Sequence, residues 1–212
     1  GLATLPKDAF KDCTSLQNVT IGSAVTGIDS TAFSGCGAIT TLNLRTPLVE
    51  VSYTGQSTFL MTYFSASASK VQHLTLGGKV TSVGGLAFYQ ASSLESVIME
   101  SSVVSIDTQA FRQAGSLESV TIGSSVKNIG DSAFNRCFSL QSITIPNSVN
   151  TLEHAAFAFC KKLESLVIPN SVTSAEGSQL CLGCTSLTSV VIGDGLATLP
   201  KDAFKGCSSL QN

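Results

Sequence analysis

The stretch that decides the fold is Gly123–Ile145, GSSVKNIGDSAFNRCFSLQSITI, followed at once by Pro146–Ile168, PNSVNTLEHAAFAFCKKLESLVI. Val126 lies over Val149, Ile129 over Leu152, and Ala133-Phe134 over Ala156-Phe157. Cys137 lies over Cys160, Leu140 over Leu163, Ile143 over Leu166 and Ile145 over Ile168, each at an offset of 23 residues. A fixed period of this size marks a solenoid, in which each repeat buries its apolar side against the repeats before and after it.

Working outward, the same spacing reaches both ends of the 212-residue chain. Each repeat closes on L-x-x-V-x-I, where apolar residues two apart line one side of a strand and Gly or Pro turns the chain afterwards. The outward positions follow: Asn18 and Thr20, Thr41 and Asn43, His73 and Thr75, Ser96 and Ile98, then the same two places up to Ser189 and Val191. Stacked repeats place these strands in one parallel sheet. The early V-x-x-I piece predicts a second, shorter extended segment. The middle D/S-x-A-F-x-x-C is too short for a long helix and predicts one turn of helix or 3₁₀.

Two repeats break the period. Leu44 to Leu76 is 32 residues, nine too many, and the surplus is read between Ser52 and Phe64, with Leu48 and Val51 still at the early apolar positions. Ile168 to Ile192 is one residue too long, and Gln179-Leu180 stands there for Ala-Phe. The chain thus reads as one domain, 1–212, of about nine repeats with an insertion near 52–64. Gly1–Asn18 matches Gly195–Asn212 at all but two positions, which predicts further repeats beyond both ends and end-to-end self-association of uncapped coils.

Composition narrows the function. Charged residues are 12% of the chain and net charge is −2, with pI near 5.6, which argues against nucleic acid and against electrostatic membrane binding. No apolar run approaches the roughly 20 residues that span a bilayer. Six of the seven cysteines (Cys13, Cys36, Cys137, Cys160, Cys184, Cys207) share one repeat position, taken by Ala91 and Ala114 elsewhere. A slot that accepts Cys or Ala wants a small buried side chain, so these are read as free thiols. Cys181-Leu182-Gly183-Cys184 lacks the second pair or nearby His of a zinc site. No metal or catalytic residues and no cofactor are assigned. Glu153-His154 is read as solvated surface.

The insertion holds Tyr53, Phe59, Met61, Tyr63 and Phe64. These side chains either form a binding loop, since insertions in repeats map to one face, or fold back over the core, with Phe64 the first to be buried. Tyr53, Phe59, Met61 and Tyr63 are the candidate ligand contacts, with Asn43, Arg45 and His73 flanking them. The Ser/Thr face of the sheet is a second, weaker candidate.

The N-S-V start, the A-F-x-x-C core and the L-x-x-L-x-I strand, in about eight copies, resemble the BspA-like (Treponema pallidum-type) class of leucine-rich repeat. The resemblance implies a right-handed arc or horseshoe, with the sheet on the concave side and turns and extended segments on the convex side. It also implies a surface or secreted adhesin or binding module that takes a protein or glycan ligand, including host extracellular matrix, and it brings no catalytic residues. A structural spacer that presents another domain is the alternative.

Overall fold

The computed structural model describes residues 2–54 and 57–211, wound as a parallel β-solenoid of about eight turns. The long strands form one six-stranded sheet in chain order: Asn18–Ile21, Thr41–Leu44, His73–Leu76, Ser96–Met99, Ser119–Thr121 and Ser142–Ile143. The Thr144–Val167 bridge leads to a further pair, Ser165–Ile168 and Ser189–Ile192. Every pairing between these long strands is parallel and joins equivalent repeat positions, as with Val19, Leu42, Leu74, Val97 and Val120. Those residues are buried while Asn18, Thr20, His73 and Ile98 are exposed, so the alternation read from the sequence holds. The early segments make a second sheet of two-residue strands, five of them running from Ser82–Val83 to Ser174–Ala175.

The segment joining the two sheets differs from expectation. At A-F-x-x-C the chain makes consecutive tight turns, and among the described residues the helices are confined to the third repeat. The cause is two left-handed residues in each of the first and fourth to ninth coils. One precedes Ala-Phe (Gln109 φ 60°, Ser132 φ 55°, Ala155 φ 52°) and one precedes the cysteine slot (Gln113 φ 63°, Arg136 φ 62°, Phe159 φ 60°), and neither fits a right-handed helix. Such residues cost of order 1–2 kcal/mol apiece outside glycine. The offset comes from backbone pairing between coils: Ser132 N donates to His154 O, Phe134 N to Ala156 O and Arg136 N to Ala158 O, at 2.8–2.9 Å. The intervening Ala133 and Asn135 N–H groups close local turns, so each donor in the segment has a partner.

Inside, one phenylalanine per coil stacks on the next. Ring centroids are 5.3 Å apart for Phe88–Phe111, 5.4 Å for Phe111–Phe134 and 5.9 Å for Phe134–Phe157. The cysteine slot is adjacent. Cys137 Sγ donates to Phe111 O at 3.3 Å and Cys160 Sγ to Phe134 O at 3.2 Å, and both side chains are fully buried. The slot thus takes a small side chain with a weak donor aimed at the previous coil. Cys13 and Cys207, in the first and last coils, are exposed and half-buried, while the others are buried free thiols.

Glu153 and His154 are also part of this stacking. Glu153 accepts from Asn128 Nδ2 and from the Asp131 N–H, and His154 Nδ1 lies 3.2 Å from Ser178 Oγ. The expected solvated surface is a half-buried link between coils, because a longer side chain at this position reaches its neighbour's turn.

Candidate functional site

The third repeat is where the regular coil gives way. Thr46 accepts from the Leu48 N–H and Pro47 opens a 3₁₀ turn, Pro47–Glu50. This tightening pulls the chain forward, so Val49 is fully buried and Val51 is 59% exposed, in place of the Val51 core position expected from spacing. Val49 O accepts from Gly84 N, the bond that Ile106 O makes with Gly130 N in a regular coil. Thr58 then caps the short helix Phe59–Tyr63 by accepting from the Met61 N–H at 3.2 Å.

The helix restores the phenylalanine column by an unscheduled route. Phe59 N donates to Ala87 O at 2.9 Å, as Phe88 N does to Ala110 O, so Thr58-Phe59 takes the place of Ala-Phe. Phe64 follows one helical turn later, and Ser67 N bonds Phe64 O as Cys137 N bonds Phe134 O, which puts Ser67 in the cysteine slot. Phe33, Phe64, Phe59 and Phe88 form a continuous chain of ring contacts at 4.7, 5.9 and 5.9 Å. Phe59 and Phe64 are both fully buried.

The candidate contacts therefore separate. Phe59 belongs to the core. Tyr53 is half-buried, edge-on to Phe59, with its hydroxyl donating to Leu48 O at 3.1 Å, and burial followed by the neighbouring Tyr63 pushes its phenol pKa up. Tyr63 is half-buried against Phe59, with ring centroids 5.2 Å apart. Met61 is 52% exposed. It borders a cleft of about 230 Å³ with Thr58, Leu60, Ser69, Tyr89 and Gln90. Tyr89 was not singled out by the insertion, because it lies in the following repeat. Its signal is an aromatic at a repeat position held by Arg112, Asn135 and Ala158 in the next coils.

Asn43, Arg45 and His73 stand elsewhere. Asn43 and His73 project from the long-strand sheet, where His73 Nδ1 meets Ser96 Oγ at 2.9 Å and Asn43 Oδ1 has no hydrogen-bond partner. Arg45 reaches across the third repeat to Glu100, Nη1 to Oε1 2.9 Å. Glu100 also accepts from Gly78 N, and the Gly77-Gly78 pair leaves room for the bridge, since a Cβ on Gly77 would strike the Glu100 carboxylate. Among the described residues no hydrogen bond or aromatic contact joins these three to Tyr53, Met61 or Tyr63.

The buried cysteines of the sixth and seventh coils are not activated, whereas Cys184 is held below its ordinary value by its hydrogen bond with Cys181. Burial pushes the Cys137 and Cys160 thiols well up, and Cys207 is raised to about 11 by burial first. Cys181 is raised by its hydrogen bond with Cys184 and then by burial. No group of three or more His, Cys, Asp or Glu that could hold a metal occurs among the described residues. No helix of the described residues is long and apolar enough to cross a membrane.

A parallel solenoid of 23-residue coils with this core belongs to the leucine-rich-repeat class, whose members serve as binding or scaffold modules. The chain is a member of the BspA type leucine rich repeat family, which matches residues 1–102 and 81–211 in six copies. Among solved structures it is similar to a T. pallidum leucine rich repeat protein. The two are 24% identical over 69% of this chain and 80% of that one, with a TM-score of 0.60. The pneumococcal vaccine antigen PcpA is 19% identical over 86% of this chain and 46% of its own, with a TM-score of 0.53. A leucine rich cell surface protein of Faecalibacterium prausnitzii is 24% identical over 99% and 63%, with a TM-score of 0.46. At these identities the likeness is one of fold. No curated protein matches the chain.

Proposed function

We propose that this chain is a noncatalytic, adhesin-like recognition module of a cell-surface or secreted protein, and that it takes a protein or glycan ligand on the face built by its third repeat. The observation that carries the reading is the exposed Met61 beside the cleft under Tyr89, in the coil that departs furthest from the period. Insertions in repeat arrays map to one face, often the binding face. Methionine adapts to irregular surfaces, and a half-exposed tyrosine supplies contact area with a polar tip. Of the residues first considered, Met61 is the accessible contact. Tyr53 and Tyr63 are half-buried against Phe59 and brace the helix that carries Met61. Asn43 and His73 would serve a separate contact on the sheet.

The test is capture of extracellular-matrix proteins by the full chain. Met61→Asp with Tyr89→Ala is expected to cut binding at least tenfold, with the melting temperature unchanged within a few degrees. An Asn43→Ala/His73→Ala variant measures the sheet face in the same assay. If every variant captures as the parent does, or nothing is captured, the repeat array acts as a spacer.

A further inference from the structure

Away from the insertion, two neighbouring turns leave the repeat pattern together. In the other regular repeats the residue before the cysteine slot is Asp, Gly or Gln, and the residue after it is Thr, Gly or Ser. In the sixth repeat these places hold Arg136 and Phe138, and in the seventh they hold Phe159 and Lys161. Stacking puts Arg136 in register with Phe159 and Phe138 in register with Lys161, so cations and rings alternate at the corners of a square. Arg136 Cζ lies 5.5 Å from the Phe159 ring centre and Lys161 Nζ lies 5.3 Å from that of Phe138.

The neighbouring coils make room for the rings. Phe159 rests on Gly183 (φ +68°), where a Cβ would come within 2.8 Å of the ring. Phe138 lies against Gly115 and remains 39% exposed. Lys162, next to Lys161, is exposed as well. None of the three cations has a carboxylate partner, since the ion pairs among the described residues are Arg45–Glu100 and Lys205–Asp202. A chain of net charge −2 thus gathers three positive charges that make no ion pair on one edge, two of them held over aromatic faces. In the sequence they are separated by a full period and do not read as a patch.

We propose that this edge is a binding surface for a linear anionic glycan bearing sulfate or uronate groups. A guanidinium or ammonium already held over a ring has less freedom to lose when an anion arrives, and arginine presents a planar fork suited to sulfate or carboxylate. The charges stand on two adjacent coils about 4.8 Å apart, Arg136 on one and Lys161 and Lys162 on the next, so an extended polymer can bridge both turns. The adjacent column is Ser116, Ser139 and Ser186, which offers hydroxyls beside the charges. A standard protein partner needs about 800 Å² a side with an apolar centre. This edge offers only the rim of Phe138. The surface is distinct from the Met61 cleft, and the proposal stands or falls independently of that reading.

The experiment is surface plasmon resonance of the full chain over an immobilised heparin oligosaccharide. Binding should weaken roughly tenfold between about 50 and 150 mM salt, as three cations imply through counterion release. Arg136→Gln/Lys161→Gln/Lys162→Gln should lose at least tenfold, and Lys161→Gln/Lys162→Gln, which leaves the Arg136–Phe159 stack intact, should lose about half of that effect on a logarithmic scale. Arg136→Lys/Lys161→Arg should keep affinity within about threefold. No binding at the lower salt, or unchanged binding by both neutral variants, overturns the proposal. Poly-glutamate or a single-stranded oligonucleotide binding as tightly as heparin also overturns it, and reassigns the edge to that class of partner.

Discussion

The fifth to seventh repeats and the third solve the same packing problem differently. In the former, Phe111, Phe134 and Phe157 lie nearly parallel, at interplanar angles of 2° and 6°. In the third, Phe59 sits at 40° to Phe64 and 54° to Phe88, yet it is as fully buried as the regular rings. The column must be filled, because a gap in one coil would open a void against both neighbours. How it is filled is free. Where the period holds, geometry copies itself from coil to coil. Where it fails, a helical turn delivers two rings at angles of its own, and its outer side becomes surface found in no other repeat.

The largest effects should come from the column itself. Phe134→Ala is expected to destabilise by about 3–5 kcal/mol, and Phe59→Ala by a similar amount, measured by urea denaturation. A cost under about 1 kcal/mol for Phe59→Ala would break the comparison and make the third repeat an appended loop, outside the cooperative stack. Gly130 and Gly84 occupy the same place in a regular and an irregular setting. A Cβ on Gly130 would lie 2.8 Å from the Asp107 carbonyl carbon, and one on Gly84 would strike Val51 O in the segment leading into the insertion. Gly130→Ala should cost roughly 1–3 kcal/mol, and Gly84→Ala at least as much, because its obstacles are also backbone atoms and stand closer.

The buried thiols of the regular coils make stability depend on pH. The folded values of Cys137 and Cys160 lie above the ordinary 9.0, so the unfolded chain releases its protons first. Stability held below pH 9 is therefore lost as pH rises beyond it, and for Cys207 the loss levels off above about 11. Cys137→Ala/Cys160→Ala should show a shallower alkaline decline by circular dichroism. In the third repeat Ser67 in the slot adds nothing to that slope, and the contribution comes instead from Tyr53, whose phenol is held above its ordinary value by burial. At neutral pH a thiol reagent should label Cys13 in the native protein and reach Cys137 only after unfolding. The smallest effect is that of Arg45→Gln. Its ion pair with Glu100 is more than a third exposed on both sides, so the cost should be below about 1 kcal/mol in thermal melts.

Much of this was legible beforehand. The outward positions Thr41, His73 and Ser96 and the shared cysteine slot follow from spacing, because every regular coil repeats the same contacts with its neighbours. The left-handed turns were not legible. Gln109, Ser132 and Ala155 share no side-chain signature for positive φ, and the conformation is imposed by backbone bonds to the next coil. The candidate site was legible only as a region. Spacing pointed to Val51 where the 3₁₀ turn buries Val49, and it grouped Phe59 with Met61 although one fills the core and the other faces outward.

The period, the buried columns, the exposed rows of the sheet and the place where regularity fails are written in the chain. These are properties of an offset, and an offset survives in one dimension. It took the folded coils to settle which residues of the third repeat fill the column, which remain outside, and that Arg136 and Lys161 each lie over a ring of the neighbouring coil. Those outcomes depend on volume and charge brought together across coils, and the spacing of residues along the chain does not encode them.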